Sequence, residues 1–242
     1  MRTIGLLGGM SWQSSAVYYR LLNERVAALL GGHASADLIL RSVDFAEIHR
    51  LQQGNDWRTA GELLARDAAA LEAAGAEVLG LATNTMHLVA DQITAATSAP
   101  FVHIVDAVAD AAQRFGVRRL GLLGTAYTMS SSLYQDRIAG RDLEILTPSA
   151  ADRDVVDRVI FAELVHGVTT PKARAAYVGV AERLARAGAD AVILGCTEIG
   201  LLLRPGDVDL PLLDSASVHV DALLDASCAP DSAPRRVLEV AT

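Results

Sequence analysis

Two short stretches end apolar runs in residues able to handle protons. At 188–200 the chain reads GADAVILGCTEIG, and at 75–87 it reads GAEVLGLATNTMH. Aligned in register, Gly75 meets Gly188, Ala76 meets Ala189, Glu77 meets Asp190 and Thr83 meets Cys196. A cysteine is usually a small core hydrophobe. Cys196, however, follows the run AVILG and precedes Thr197 and Glu198 at an expected helix start, a position that lowers a thiol pKa from about 8.5 and favours thiolate. Its counterpart Thr83 carries a hydroxyl far too weakly acidic to supply an alkoxide at neutral pH without an activating base. That hydroxyl can still donate a proton or relay one from water.

Positioning two such groups requires a repeated scaffold, and the sequence supplies one. IGLLGGM at 4–10 returns as LGLLGTA at 120–126, and APFVHIVDAVADA at 99–111 returns as LPLLDSASVHVDA at 210–222. Apolar runs of four to seven residues alternate with longer segments of helical period, the pattern of a parallel sheet covered on both faces. The expected fold is α/β, two similar domains from an internal duplication, with a cleft between them. We expect 1–98 to form the first domain and 99–209 the second. Residues 210–242 should return to complete the first, as a closing strand and helix.

In parallel sheets ligands gather at the carboxyl ends of strands. Four such exits are small and polar: GGMSWQSS (8–15), TNTMH (83–87), GTAYTMSSS (124–132) and CTEIG (196–200). Their hydroxyls and free backbone N–H groups suit a carboxylate, although N-capping of the following helices would explain many of the same residues. GLLGGM does not meet G-x-G-x-x-G, and no P-loop pattern occurs, so no nucleotide cofactor is expected.

Composition narrows the class further. With 242 residues, 51% hydrophobic and 21% charged, the chain is globular. A net charge of −8 without clustered Lys and Arg argues against nucleic acid. No apolar run approaches the roughly 20 residues that cross a bilayer, and the expected location is the cytoplasm. The two cysteines, Cys196 and Cys228, are not expected to pair in a reducing compartment, and no metal-type Cys/His spacing is present. Cys228 opens CAPDSAPRRVLEVAT, read as a tail without function.

In combination, MRTIGLLGGMSWQSSAVYYRLLNE, SVDF, TNTMH, LLGTAYTM and GCTEIG resemble the aspartate/glutamate racemase family, from Met1 to about Leu224. The resemblance implies a racemase that needs no cofactor, acts on an acidic amino acid and is often a homodimer. In that family two cysteines commonly face each other across the substrate Cα. Here Cys196 takes the second position and Thr83 stands at the first, resembling a branch with a Thr/Cys pair and a preference for L enantiomers. The implied substrate contacts are Met10, Gln52, Asn84, Thr85, Thr125, Thr128, Thr197 and Glu198. Gln52 falls in EIHRLQQGNDW (47–57), read as a lid loop in which His49 and Arg50 would meet the side-chain carboxylate. Members specific for aspartate carry a further lysine in the second unit, and FAELVHG (161–167) has none. His87 packs the helix start or relays a proton. Two other readings use the same parts: a single-cysteine decarboxylase or diacid isomerase, and a carboxylate-binding protein without turnover.

Overall fold

Apolar runs too short for a helix become strands, and the amphipathic segments between them become the helices that cover both sheet faces. The computed structural model describes residues 1–229. In the first half lie β1 (Ile4–Gly8), α1 (Trp12–Leu30), β2 (Leu38–Ser42), α2 (Phe45–Gln53), α3 (Trp57–Ala73), β3 (Val78–Leu81) and α4 (Ala90–Ala95). Then follow α5 (Ile104–Phe115), β4 (Arg119–Gly124), α6 (Ala126–Ser130), α7 (Leu133–Arg137), β5 (Glu144–Leu146) and α8 (Ala150–Ala162). The described chain ends through α9 (Pro171–Arg186), β6 (Ala191–Gly195), α10 (Ile199–Leu202), β7 (Leu212–Asp214) and α11 (Ser215–Cys228).

The two sheets repeat one topology. The first runs β2-β1-β3 and the second β5-β4-β6-β7, all parallel. Phe101 bridges Leu79 at the edge of the first sheet, where β7 stands in the second. Two parallel sheets flanked by helices are the expected α/β class.

The crossing between halves differs from the expectation. The segment from 210 supplies its strand to the second sheet, because β7 pairs with β6 and the Val192 N–H donates to the Pro211 carbonyl at 2.9 Å. The stretch after Pro100 still belongs to the first sheet, where the Val102 N–H donates to the Leu79 carbonyl at 2.9 Å. Each edge segment then sends its helix across. Ile104, Val105 and Val108 of α5 join the core of the second unit, while Ala216, Val220 and Leu223 of α11 pack with Ile4, Leu6 and Tyr18 of the first. Gly80 marks the closeness of that contact: a Cβ there would lie 2.8 Å from Leu223 Cδ2. Cys228 ends α11 rather than opening a tail, and residues 230–242 lie outside the described residues.

At this crossing sits a neutral polar cluster. Rings of His87 and His103 lie 4.6 Å apart, and those of His87 and His219 5.6 Å. The His219 Nε2–H donates to the Val102 carbonyl at 2.9 Å, so its Nδ1 accepts from the Tyr18 hydroxyl at 2.8 Å. Burial holds His219 and His103 down to about 4 and pushes His87 well below its ordinary value.

Candidate active site

Cys196 follows β6 directly, and Thr83 stands two residues beyond β3. Because β3 and β6 hold equivalent places in their sheets, both residues leave a carboxyl end toward the space between the units. They line one cavity of about 50 Å³ there. That is room for a few waters, on a scale where one needs roughly 10–15 Å³.

Cys196 is half-buried, and its thiol donates to Glu198 Oε2 at 2.9 Å. Burial pushes the thiol well above its ordinary value, and the Glu198 charge and hydrogen bond push it further. The expectation of a thiolate favoured by a helix start is therefore corrected. The helix that follows, α10, spans only four residues, and the nearest charge is a carboxylate. Glu198 is held by four side chains. The Thr197 hydroxyl donates to Oε2 at 2.7 Å, while the hydroxyls of Ser11 and Ser14 donate to Oε1 at 2.7 and 3.2 Å. Burial alone would raise the Glu198 pKa; the hydrogen bonds from Cys196, Thr197 and Ser11 outweigh it and hold the carboxyl below its ordinary range. The resting pair is a thiol against a carboxylate.

Ser11 also caps α1, its oxygen accepting the Ser14 N–H at 3.2 Å. One residue thus starts a helix of the first unit and holds a carboxylate of the second. Sequence reading set aside the GGMSWQSS exit as general anion donors, so it missed Ser11 and Ser14 as partners of Glu198. A bond between residues so far apart leaves no local mark.

Thr83 is placed through its backbone. The Ile104 N–H donates to His87 Nε2 at 3.2 Å, so His87 carries its proton on Nδ1 and donates it to the Thr83 carbonyl at 2.8 Å. Among the described residues the Thr83 hydroxyl has no protein partner. It has no base comparable to Glu198.

The other expected residues divide. Met10, Gln52, Asn84 and Thr85 line the cavity from the first unit, and Thr125, Thr197 and Glu198 from the second. The Asn84 amide is already engaged, donating to Ser215 Oγ at 2.9 Å and accepting from Tyr134 at 2.7 Å. Thr128 is fully buried and off the cavity; its hydroxyl lies 3.1 Å from those of Thr85 and Thr125, so it supports Thr85 instead of meeting a ligand. The stretch 47–57 is mostly helix rather than a lid loop. Asp44 caps α2 by accepting the Ala46 N–H at 2.9 Å, and Ile48, Leu51 and Gln52 are buried at helical spacing. Arg50 is exposed, and neither it nor His49 lines the cavity. Phe45, Tyr127, Ile160, Phe161 and Val165 do line it, and no motif along the chain marks them.

No helix among the described residues is long and apolar enough to cross a membrane. The family model for Asp/Glu/Hydantoin racemase matches residues 7–223. A crystal structure from Yersinia pestis, whose Asp/Glu racemase assignment is provisional, superposes with a TM-score of 0.88 at 45% identity, covering 94% of this chain and 99% of that one. An aspartate racemase homologue from Pyrococcus horikoshii OT3 gives 0.83 at 34% identity, with the same shares of 94% and 99%. The broad specificity amino-acid racemase RacX of Bacillus subtilis is 25% identical over 61% of this chain and 63% of its own length. With the family's model spanning both sheets and the strand ends that carry Thr83 and Cys196, the chain belongs to the Asp/Glu/Hydantoin racemase family.

Proposed function

We propose that this protein racemises a free α-amino acid by removing its α-proton through Cys196 and returning a different proton from Thr83 on the opposite face, with no cofactor in the step. One observation carries the reading: two proton-bearing side chains from equivalent strand ends of duplicated units line a single cavity. Family membership supports amino-acid racemisation, and aspartate and glutamate are the substrates the family implies.

Glu198 takes the Cys196 proton as the thiol sulfur turns to the substrate. The sulfur then accepts the proton from Cα, leaving the electron pair on the substrate and delocalised into its α-carboxylate. Backbone N–H groups of the loops at Asn84, Thr85 and Thr197 stabilise that charge, since the Asn84 amide and the Thr197 hydroxyl are already engaged. Thr83 delivers its hydroxyl proton to the opposite face. The site resets as Glu198 loses a proton to solvent and Thr83 regains one from water. Cys196 has a carboxylate beside it and Thr83 has none, so one enantiomer turns over much faster than the other.

The test is deuterium incorporation at Cα, followed by proton NMR, with both enantiomers of a panel of amino acids that includes aspartate and glutamate. Exchange accompanied by inversion is expected for at least one substrate. Absence of exchange with every amino acid overturns the reading.

A further inference from the structure

Part of the cavity lining is apolar. Phe45 comes from α2 of the first unit, Ile160 and Phe161 from α8, and Val165 from the turn that follows; Met10 completes the patch. Among the described residues, Glu198 is the only charged side chain on the cavity, and it is held ionised by its four donors. Among the described residues no Lys, Arg or His lines it. Gln52, which also lines the cavity, donates one of its two amide N–H bonds to Met86 Sδ at 3.0 Å.

We propose that the side-chain subsite takes an uncharged, apolar side chain, such as that of leucine or methionine, rather than a second carboxylate. The proposal rests on the racemase reading above and deepens it. A carboxylate placed against Phe45, Ile160 and Phe161 loses its hydration and gains no cation in return. It also shares a small cavity with the Glu198 charge, which repels it and attracts the α-ammonium that every amino acid carries. An aliphatic side chain gains from the same wall by burying its surface. His49 is the nearest alternative partner for an acid. Its ring stands 5.6 Å from that of Phe45 and 6.0 Å from that of Phe161, and its buried Nδ1 has no hydrogen-bond partner, yet it does not line the cavity.

The experiment measures kcat/KM for Cα deuterium exchange by the full chain with leucine, methionine, aspartate and glutamate, each in both enantiomers. We expect at least a tenfold preference for leucine or methionine over both acids. A preference for either acid, or parity, overturns the proposal while leaving the racemase reading intact; no exchange with any of the four or a wider panel overturns that reading and this one with it. Phe45→Lys adds a cation to the wall and is expected to move the glutamate-to-leucine ratio at least tenfold toward glutamate. An unchanged ratio in a folded variant counts against the subsite. His49→Leu should leave glutamate exchange unaltered, and a specific loss there would assign acid recognition to His49 and overturn the proposal.

Discussion

At Cys196 the sulfur's value as a base depends on where its proton goes, and the carboxylate 2.9 Å away is the receiver. Glu198→Gln keeps the shape and, through its one carbonyl oxygen, can keep the Ser11 and Ser14 hydroxyls, but it removes that receiver. We expect exchange at neutral pH to fall at least about 100-fold, the usual worth of a positioned proton acceptor. The residual rate should climb with pH as the raised thiol ionises unaided, and a pH profile of exchange from 6 to 10 reads both effects. A glutamine variant at wild-type rate would exclude Glu198 from proton transfer. In the wild type, Glu198 is held below its ordinary value of 4.5, so the acid limb of the profile belongs below that pH, with activity lost as pH falls through it. Thr83→Cys puts a thiol on the slow face, where it forms thiolate far more readily than threonine forms alkoxide. Turnover of the slow enantiomer should rise and the ratio of the two rates should shrink. An unchanged ratio counts against proton return by Thr83.

The element that sets Thr83 is the 3-10 turn Thr85–Val89, in which His87 donates to the Thr83 carbonyl and accepts the Ile104 N–H of α5. His87→Ala removes both and opens a hole among buried rings. The expected cost is about 2–4 kcal/mol in urea unfolding, from the lost contacts and the orphaned N–H of Ile104. Exchange through Thr83 should fall in kcat more than in KM, because the hydroxyl is displaced and not the binding wall. The sequence allowed His87 two roles, packing or relay, and only the direction of its Nδ1–H separates them. The α2 segment shows the same difficulty. EIHRLQQGNDW is rich in polar residues and reads as a loop, yet capping by Asp44 and burial of Ile48, Leu51 and Gln52 make it a helix.

At the scale of the molecule, two crossing helices hold the halves together. Leu223 is fully buried on the first unit, close against Gly80, so Leu223→Ala should cost about 2–5 kcal/mol by urea unfolding, the range for a large-to-small change in a core. The histidines at the same junction make stability depend on pH. The unfolded chain protonates its imidazoles near 6.5, whereas folded His103 and His219 do so only at about 4. Unfolding therefore takes up protons between those values, and stability falls as pH drops from 6.5 to 4. The loss is roughly 3 kcal/mol for one such group, at about 1.4 kcal/mol per tenfold change in proton affinity. Denaturant unfolding at pH 7 and at pH 4.5 should show it. His219→Phe, which keeps the ring volume but cannot take a proton, should flatten part of the slope.

What the sequence determined by itself was whatever repeats or alternates along the chain. The parallel α/β class, the duplication and the matching of Thr83 with Cys196 were all legible, because apolar strands and the residues that follow them are local patterns. Tertiary structure decided which units the edge strands and their helices serve, since pairing with β6 or packing on β3 depends on surfaces brought together only by folding. It also decided the protonation of Cys196. A helix start one or two residues away suggested thiolate, but the burial and the carboxylate that raise the thiol are properties of the folded cleft, where Glu198 is fixed by Ser11 and Ser14 from the opposite unit.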